Sequence, residues 1–589
     1  MAQENPSTQL ANNNNNVIEI PQPVEPSCEV GPKPKCQSNR AFFLFCKCSS
    51  VRGMSKLHSG PRFLRGVWLI FVLSMTFLLL SASALLIKDF LNYDVSVYTQ
   101  LRLDDPTPFP ALTVCHQPPY SFEAYDLWNR SEILSPSKYN QYMRGITLKA
   151  LQENDIPTAL STWGYDSQSV YYQNLGYREA IRLGHRPAIF LACMQSSQEM
   201  FTFEDNCNEI PGYRMRRLSH HLYMNCYTFE PSTEKDANQT NHFGLIVGMG
   251  PKDNNITVQQ AFFADAFEQA RGLRVVVHEP GTLPDLEMNG LHVEPGKLNE
   301  IIYEVNRWKK LSTPVRPCIQ PNISNRFRDL EHSYNYTHAD CLLVHQQEEI
   351  MKNCRCIYVM HPRLKLPNKD LPYCGRLWPK YNETEFIERI KCLGTYLTKE
   401  SKRKYDGNPC LPRCNYYEYP SSTSITKWRG HPWQLYWLRV QNQASHALSD
   451  YYQLWPDRNI REHAAFKQWE LYLTYGNLTH VPTREELKKM ANGTSIYDQM
   501  PNWPPENLDL DSDDFTYVAL RRKSGNTVEQ NERLILSLYV LVSRVGGLCS
   551  LTIGLTAAFV VELVEFFYLL YQEQHREGAR CFRRQHGDR

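Results

Sequence analysis

The sequence predicts an α+β membrane protein in which two transmembrane helices flank a large, disulfide-rich extracellular domain. Two apolar runs lie near the ends of the 589-residue chain, and both termini are basic around a mildly acidic middle. Twelve of the 18 cysteines and all eight N-x-S/T sequons fall between the runs. A chain of this length exceeds what one hydrophobic core organises, so several domains or one elaborated ectodomain are expected. The net charge of +2 says little by itself. No nucleic-acid partner is expected.

Residues 1–65 carry eight basic and four acidic side chains, and residues 573–589 carry five and three. The positive-inside rule therefore assigns the N-terminus (1–65) and the C-terminus (573–589) to the cytosol. The asparagine run Asn12 to Asn16, several prolines and few large apolar residues make residues 1–40 read as disordered. Phe42, Phe43, Leu44 and Phe45 then precede Cys46 and Cys48, candidates for palmitoylation or for plain reduced thiols.

Gly66 to Ile87 is a run of 22 uncharged residues, preceded by Arg62 and Arg65 and followed by Lys88 and Asp89. It starts too late and runs too long for a cleavable signal peptide, so residues 66–88 are assigned as the first transmembrane helix. With both ends inside, residues 89–533 must lie outside the cell. That segment holds the sequons at Asn129, Asn238, Asn255, Asn322, Asn335, Asn382, Asn477 and Asn492. It also holds Cys115, Cys193, Cys207, Cys226, Cys318, Cys341, Cys354, Cys356, Cys374, Cys392, Cys410 and Cys414, an even twelve that could form six disulfides.

Within the ectodomain, Tyr93 to Leu103 alternates like a strand leaving the membrane, and FPALTVC (Phe109 to Cys115) is a β-rich run closed by a cysteine. Residues 120–230 read as helical and polar. GLRVVVHE (Gly272 to Glu279) is a buried-type strand followed by a PGTLPD turn, and IIYEVNRW (Ile301 to Trp308) reads as another strand. Eight cysteines between Cys318 and Cys414 mark a stapled, helical or loop-rich subdomain. FTYVALR (Phe515 to Arg521) is a last strand, joined to the second run by the polar stretch Lys523 to Arg533.

The second run, VGGLCSLTIGLTAAFVV (Val545 to Val561), is seventeen uncharged residues between Arg544 and Glu562. Extended upstream to Leu534 and taken as one helix, it would span about 42 Å, enough to cross a tilted bilayer, and residues 534–572 are assigned as the second transmembrane helix. Gly546, Gly547, Ser550, Gly554, Thr556 and Ala557 suit close helix approach or a narrow lumen. Glu562 and Glu565, at i and i+3, would share one helical face, where an unpaired carboxylate needs water, a cation or a partner.

Other constellations are weaker. Cys354 with Cys356, and Cys410 with Cys414, have zinc-ligand spacing, but an oxidising compartment favours disulfides. His278-Glu279 lacks the second histidine of a metalloprotease helix, and no phosphate loop, nucleophile elbow or kinase set is present, so neither an enzyme nor a cofactor or metal site is expected. The basic clusters Arg214, Arg216, Arg217 and Arg521, Arg522, Lys523 read as solvated loops, the first also as a dibasic processing pattern. His220 and His221 could titrate near neutral pH.

Two spans, short cytosolic ends, FPALTVC soon after the first span and GGLCSLTIGLTAAFVVELVEFF in the second together resemble the epithelial sodium channel/degenerin family over roughly residues 50–570. Gly554, Leu555 and Thr556 stand where the family has a Gly-x-Ser selectivity motif. Thr556 replaces the serine but keeps a hydroxyl. Glu562 and Glu565 match its acidic positions at the cation mouth. The His-Gly motif before the first span has its counterpart in Arg52-Gly53 or His58-Ser59-Gly60. The resemblance implies a homo- or heterotrimer, a hand-like ectodomain with a central β-sheet palm and peripheral helices, and block by amiloride-like compounds. It also implies that Ser543 matches the position where bulky substitution holds degenerins open, and that Tyr93 and Trp308 couple the thumb base to the first span.

The expected function is a sodium-selective channel of the plasma membrane, with sodium as permeant ion, opened by an extracellular ligand. The segment between Cys115 and Cys226, including GYREAIRLGHRPAIFLAC, is similar to invertebrate FMRFamide-gated members, which puts a peptide agonist first. Proton gating and constitutive or mechanical gating are the alternatives within the family. A two-anchor receptor or adhesion ectodomain is the alternative outside it, disfavoured because an anchor has no use for the glycines and glutamates of the second span.

Overall fold

The computed structural model describes residues 45, 49–58, 61–139, 149, 152–154, 167–197, 201–204, 207, 210–249, 270–320, 327–328, 332–364, 371–377, 382–401, 410–428, 515–556 and 558–585. They divide into two units, Met1–Asp94 with Leu534–Arg589, and Val95–Arg533. The expectations for residues 1–40, for Cys46 and Cys48 and for Ser59-Gly60 fall outside the described residues.

In the first unit Arg62–Leu91 is a 30-residue helix. Among the described residues it is the helix long and apolar enough to cross a membrane. Phe63, Ile70, Leu73, Phe77 and Leu80 are exposed along it, the surface a lipid-facing helix presents. The second apolar run differs from the single 42 Å helix expected of it. Its first residue, Leu534, ends the strand Thr527–Leu534, and the helical part is two pieces, Leu538–Thr552 and Ala558–Gln585. Ser537 starts the first piece, its hydroxyl accepting the Val540 N–H. Gly554, with φ at +75°, stops it.

Among the described residues the second unit has three larger sheets and a two-stranded one, Phe327–Arg328 with Ser333–Tyr334. The five-stranded sheet runs Tyr213–His220, Met224–Pro231, Ala111–Gln117, Gly272–His278, Leu291–Val293. The six-stranded sheet runs Ser421–Lys427, Lys297–Tyr303, Phe515–Arg522, Thr240–Gly248, Phe190–Ser197, Phe201–Glu204. One apolar core, including Phe109, Leu112, Phe229, Phe243, Leu245, Val275, Val518 and Leu520, draws on strands of both. The strands expected from FPALTVC, GLRVVVHE and FTYVALR are therefore central. Residues 120–230 are a correction, since four of these strands lie there. Met224–Pro231 is buried at every position, and such a strand shows no alternation to read in the sequence.

A four-stranded sheet orders Val95–Arg102, Thr527–Leu534, Asn306–Lys309 and Asn415–Glu418. IIYEVNRW is accordingly two strands in two sheets, parted at Glu304 and Val305. The polar stretch after Phe515–Arg522 is itself a strand, Thr527–Leu534. It is polar because its buried positions hold Thr527, Glu529 and Asn531 rather than apolar groups. Glu529 receives Arg102 Nε at 2.5 Å, Lys309 Nζ at 3.0 Å and Asn531 Nδ2 at 2.7 Å. Burial pushes its pKa up, but Asn531, Lys309 and Arg102 outweigh it and hold the carboxyl at about 2. This clamp ties the strand that follows the first apolar helix to the strand that precedes the second apolar run.

The cysteine-rich segment is helical as expected. His338–Cys354, capped by Thr337, and Glu383–Ser401 bury Ile350, Met351, Phe386 and Ile390 against Trp128, Tyr171 and Tyr139. All twelve cysteines of the second unit pair: Cys115–Cys226, Cys193–Cys207, Cys318–Cys414, Cys341–Cys410, Cys354–Cys392 and Cys356–Cys374. The zinc-like spacings thus distribute over four different disulfides. The His116 and His185 rings lie tilted against each other, centroids 3.9 Å apart, and share the Pro118 carbonyl, at 2.9 and 3.0 Å. Burial holds His116 down at about 4 and His185 well below its ordinary value.

Two outcomes follow for the full-length chain. Glu529→Gln removes the carboxylate that the partly exposed Arg102 and Lys309 share and should cost about 1–3 kcal/mol, read as a lowered thermal midpoint. An unchanged midpoint would show that the clamp carries no stability. Separately, the unfolded chain binds protons at His116 and His185 below about pH 6.5, which the fold refuses at His116 until about pH 4 and at His185 until well below its ordinary range. Stability should fall as pH drops through that window, and His116→Gln should flatten the fall in a pH series of melting curves.

Candidate functional site

The break in the second apolar segment is the centre of the site. Cys549 O accepts both the Ile553 N–H, at 3.2 Å, and the Leu555 N–H, at 3.1 Å, which ends the helix on itself. Phe559 N–H donates to Thr556 O at 3.0 Å and opens the next helix. Gly554, Leu555 and Thr556 are thus the non-helical link. A Cβ on Gly554 would lie 2.9 Å from Arg52 Cγ, in a backbone conformation that L side chains resist.

Arg52 is there because the chain just before the first helix packs against the break. Arg52 N–H donates to Ile553 O at 2.9 Å. Gly53 turns at φ +89°, where a Cβ would meet Trp68 and Val72 side chains at 3.0 Å. Its carbonyl then accepts Lys56 and Leu57 N–H groups to start the short helix Met54–His58. The structure therefore brings Arg52-Gly53 and Gly554 together, two motifs about 500 residues apart that have no local connection in the sequence.

Glu562 and Glu565 part ways. Ser50 N–H donates to both Glu562 carboxylate oxygens, at 3.2 and 3.0 Å, while Glu565 is exposed. Phe45 adds ring contacts to Phe566, centroids 4.7 Å apart, and to Phe559, at 6.1 Å. Ser50 and Phe45 were missed in the sequence, where nothing distinguishes a backbone donor or one phenylalanine among 25. Ser543, Ser550 and Thr556 are exposed, and Gly546 and Gly547 have no atom within 4 Å of an added Cβ. Cys549, half-buried, is the free cysteine among the described residues.

The gating candidates Tyr93 and Trp308 lie in different units. Tyr93, at φ +51°, has its ring 5.8 Å from Phe90. Trp308 stacks on Tyr416 at 6.1 Å and donates Nε1–H to Glu418 at 2.9 Å. Arg214 and Arg216 are a correction: they sit in a strand, not a solvated loop, and clamp the buried Glu230 at 2.5 and 2.7 Å. Arg521 and Lys523 likewise pair with Glu300 and Glu304. His278 bonds Thr113 at 2.8 Å, and Glu279 pairs with Arg413. Burial holds His220 well below its ordinary pKa, so it stays neutral at neutral pH. Of the sequons, Asn129, Asn238 and Asn382 are exposed, whereas Asn335 is half-buried with Nδ2 donating to Pro280 O at 3.2 Å. Asn255, Asn322, Asn477 and Asn492 lie outside the described residues.

The chain is similar to known sodium-channel proteins. The FMRFamide-activated amiloride-sensitive sodium channel of Cornu aspersum is 20% identical, over 88% of this chain and 81% of its own length. The epithelial sodium channel subunit beta of Neoceratodus forsteri is 21% identical, over 66% of this chain and 68% of its own. For the epithelial sodium channel subunit alpha of Mus musculus the values are 22%, 68% and 65%. The model of the amiloride-sensitive sodium channel family matches residues 45–566, so the chain belongs to that family, one of plasma-membrane ion channels rather than enzymes.

Proposed function

We propose that this chain is a subunit of a sodium-selective channel that an extracellular neuropeptide opens. The observation that carries the reading is the helix break at Gly554–Thr556, held from behind by Arg52 and followed six residues on by Glu562. In this reading the Arg62–Leu91 helix and the broken second segment both cross the bilayer, both termini are cytosolic, and three subunits, alike or related, surround the pore. The Gly554 carbonyl faces the lumen, Thr556 lines the constriction, and Glu562 and Glu565 concentrate cations at its cytosolic mouth, where an amiloride-like blocker would act on the same pore. The unpartnered face carrying Ser543, Gly547 and Ser550 supports subunit contact there, and Ser543 would be the position where bulk opposes closure. Tyr93 and Trp308 would couple the ectodomain to the first span.

Peptide gating is supported by the match to the FMRFamide-activated relative, which covers 88% of this chain. A specific observation favours acid gating as the second reading. Burial raises Asp340 to about 6 against the opposing pull of Thr337 and Arg413, with Asp285 adding to the rise. Such a carboxyl changes charge on mild acidification.

Voltage-clamp recording from cells expressing this chain alone, with an RFamide peptide panel and an acid step, separates the two. Peptide-evoked sodium current supports the first reading. Current to acid alone, lost in Asp340→Asn, replaces it with the second. In the open channel, Glu562→Gln should reduce the sodium-to-potassium permeability ratio or the unitary conductance severalfold, and unchanged values would remove Glu562 from the pore.

A further inference from the structure

Ser50 lies in the segment that closes on the break of the second apolar run, and its side chain is exposed. Residues 49–53 are neither helix nor strand, the form in which a kinase cleft takes up a substrate. The Ser50 N–H is held by Glu562, at 3.0 Å from Oε2 and 3.2 Å from Oε1. Among the described residues its hydroxyl has no hydrogen-bond partner. The neighbouring hydroxyls are placed differently. Ser49 Oγ accepts the Val51 N–H at 3.3 Å and is half-buried, and Ser55 is half-buried in the Met54–His58 helix. Arg52 and Lys56, both exposed, follow Ser50, and positive charge beside the acceptor is what basic-directed serine kinases read.

A phosphate on this hydroxyl would face the Glu562 carboxylate. It carries a charge of about −1.5 to −2 at neutral pH. Because it sits on the residue whose N–H Glu562 accepts, it would lie within about 6 Å of that carboxylate, inside the Debye length of about 8 Å at physiological ionic strength. Like charges so placed push the segment off its partner. Arg52 adds to this. Its N–H holds Ile553 O at 2.9 Å, and its side-chain stem packs over Gly554, where an added Cβ would lie 2.9 Å from Cγ. A dianion two residues away draws the guanidinium to itself through the charge-assisted bonds that arginine makes with phosphate. Both pulls act on the segment that backs the Gly554–Thr556 link.

We propose that Ser50 is a phosphorylation site for a cytosolic kinase that reads basic flanking residues, and that the phosphate releases the segment around Arg52 from Glu562 and from the break. The inference rests on the cytosolic N-terminus of the channel reading, because ATP and such kinases are cytosolic. In the transfer the Ser50 oxygen bonds to the γ-phosphorus of ATP and the bond from that phosphorus to the β,γ-bridging oxygen breaks. ADP leaves with the electron pair, and the hydroxyl proton passes to the base of the kinase. Hydrolysis by a phosphatase restores the hydroxyl, so the site is a reversible charge switch behind the constriction, and the phosphorylated state carries less sodium current.

Full-length chain isolated from cells treated with a phosphatase inhibitor, digested and mapped by mass spectrometry, should carry phosphate on Ser50. An N-terminal epitope tag stained in the same cells separates two failures: staining only after permeabilisation, with Ser50 unmodified, overturns this proposal alone, and staining of intact cells overturns it together with the topology. Amide hydrogen exchange of the purified chain tests the release without reference to current. Over residues 49–57 exchange should be about 3–10-fold faster in Ser50→Glu than in Ser50→Gln, because the Ser50 and Arg52 N–H groups lose their acceptors, and a Glu562→Gln background should close the gap. Equal exchange in the two variants overturns the release. In voltage clamp at equal surface expression, Ser50→Glu should carry severalfold less sodium current than Ser50→Gln, and equal currents overturn the switch. Absence of current from the wild type and every variant counts against the channel reading, while the mapping and the exchange still decide the site.

Discussion

A helix interrupted inside an apolar segment exposes backbone donors and acceptors that lipid cannot satisfy, so each must find a partner in the protein. Around Gly554 the chain supplies them. Cys549 O takes two N–H groups from the far side of the turn, and Ile553 O takes the Arg52 N–H from the segment before the first helix. The same segment brings Ser50 to Glu562 and Phe45 to Phe559 and Phe566. The left-handed conformation of Gly554 and the close approach of Arg52 demand one another: a side chain at 554 would displace Arg52, and without Arg52 the Ile553 carbonyl loses its donor.

In the unit Val95–Arg533 the corresponding constraint is buried charge. Glu529 and Glu230 are each almost wholly enclosed, and each is met by two cationic side chains across neighbouring strands. A carboxylate in such a place is tolerated only when its partners are fixed, and the six disulfides help to fix the strands and helices around them. They close loops from 14 to 111 residues long, each worth about 3–5 kcal/mol in the chain-entropy account. The stapled helices and the sheets can thus stay compact with many polar groups inside.

Much of this was legible in the sequence, and the limits have physical causes. The strands at Ala111–Gln117, Gly272–His278 and Phe515–Arg522 are dense in β-branched and apolar residues and declare themselves. Thr527–Leu534 does not, because its interior positions hold Thr527, Glu529 and Asn531, and the charge of Glu529 is met by partners more than 200 residues away. His220 and His221 look like surface histidines in sequence. Folding buries His221 and brings Glu287 to it, which no local pattern announces.

By itself the sequence determined the two apolar segments, the oxidising character of the middle, the even set of twelve cysteines and the Gly-Leu-Thr link with its following glutamates, because hydropathy, charge and composition are properties of neighbouring residues. Tertiary structure alone decided which cysteines pair, that the second segment is two helices rather than one, and that Arg52 and Ser50 close on the break from the other end of the chain. Those outcomes depend on contacts between residues hundreds of positions apart, where sequence spacing carries no distance.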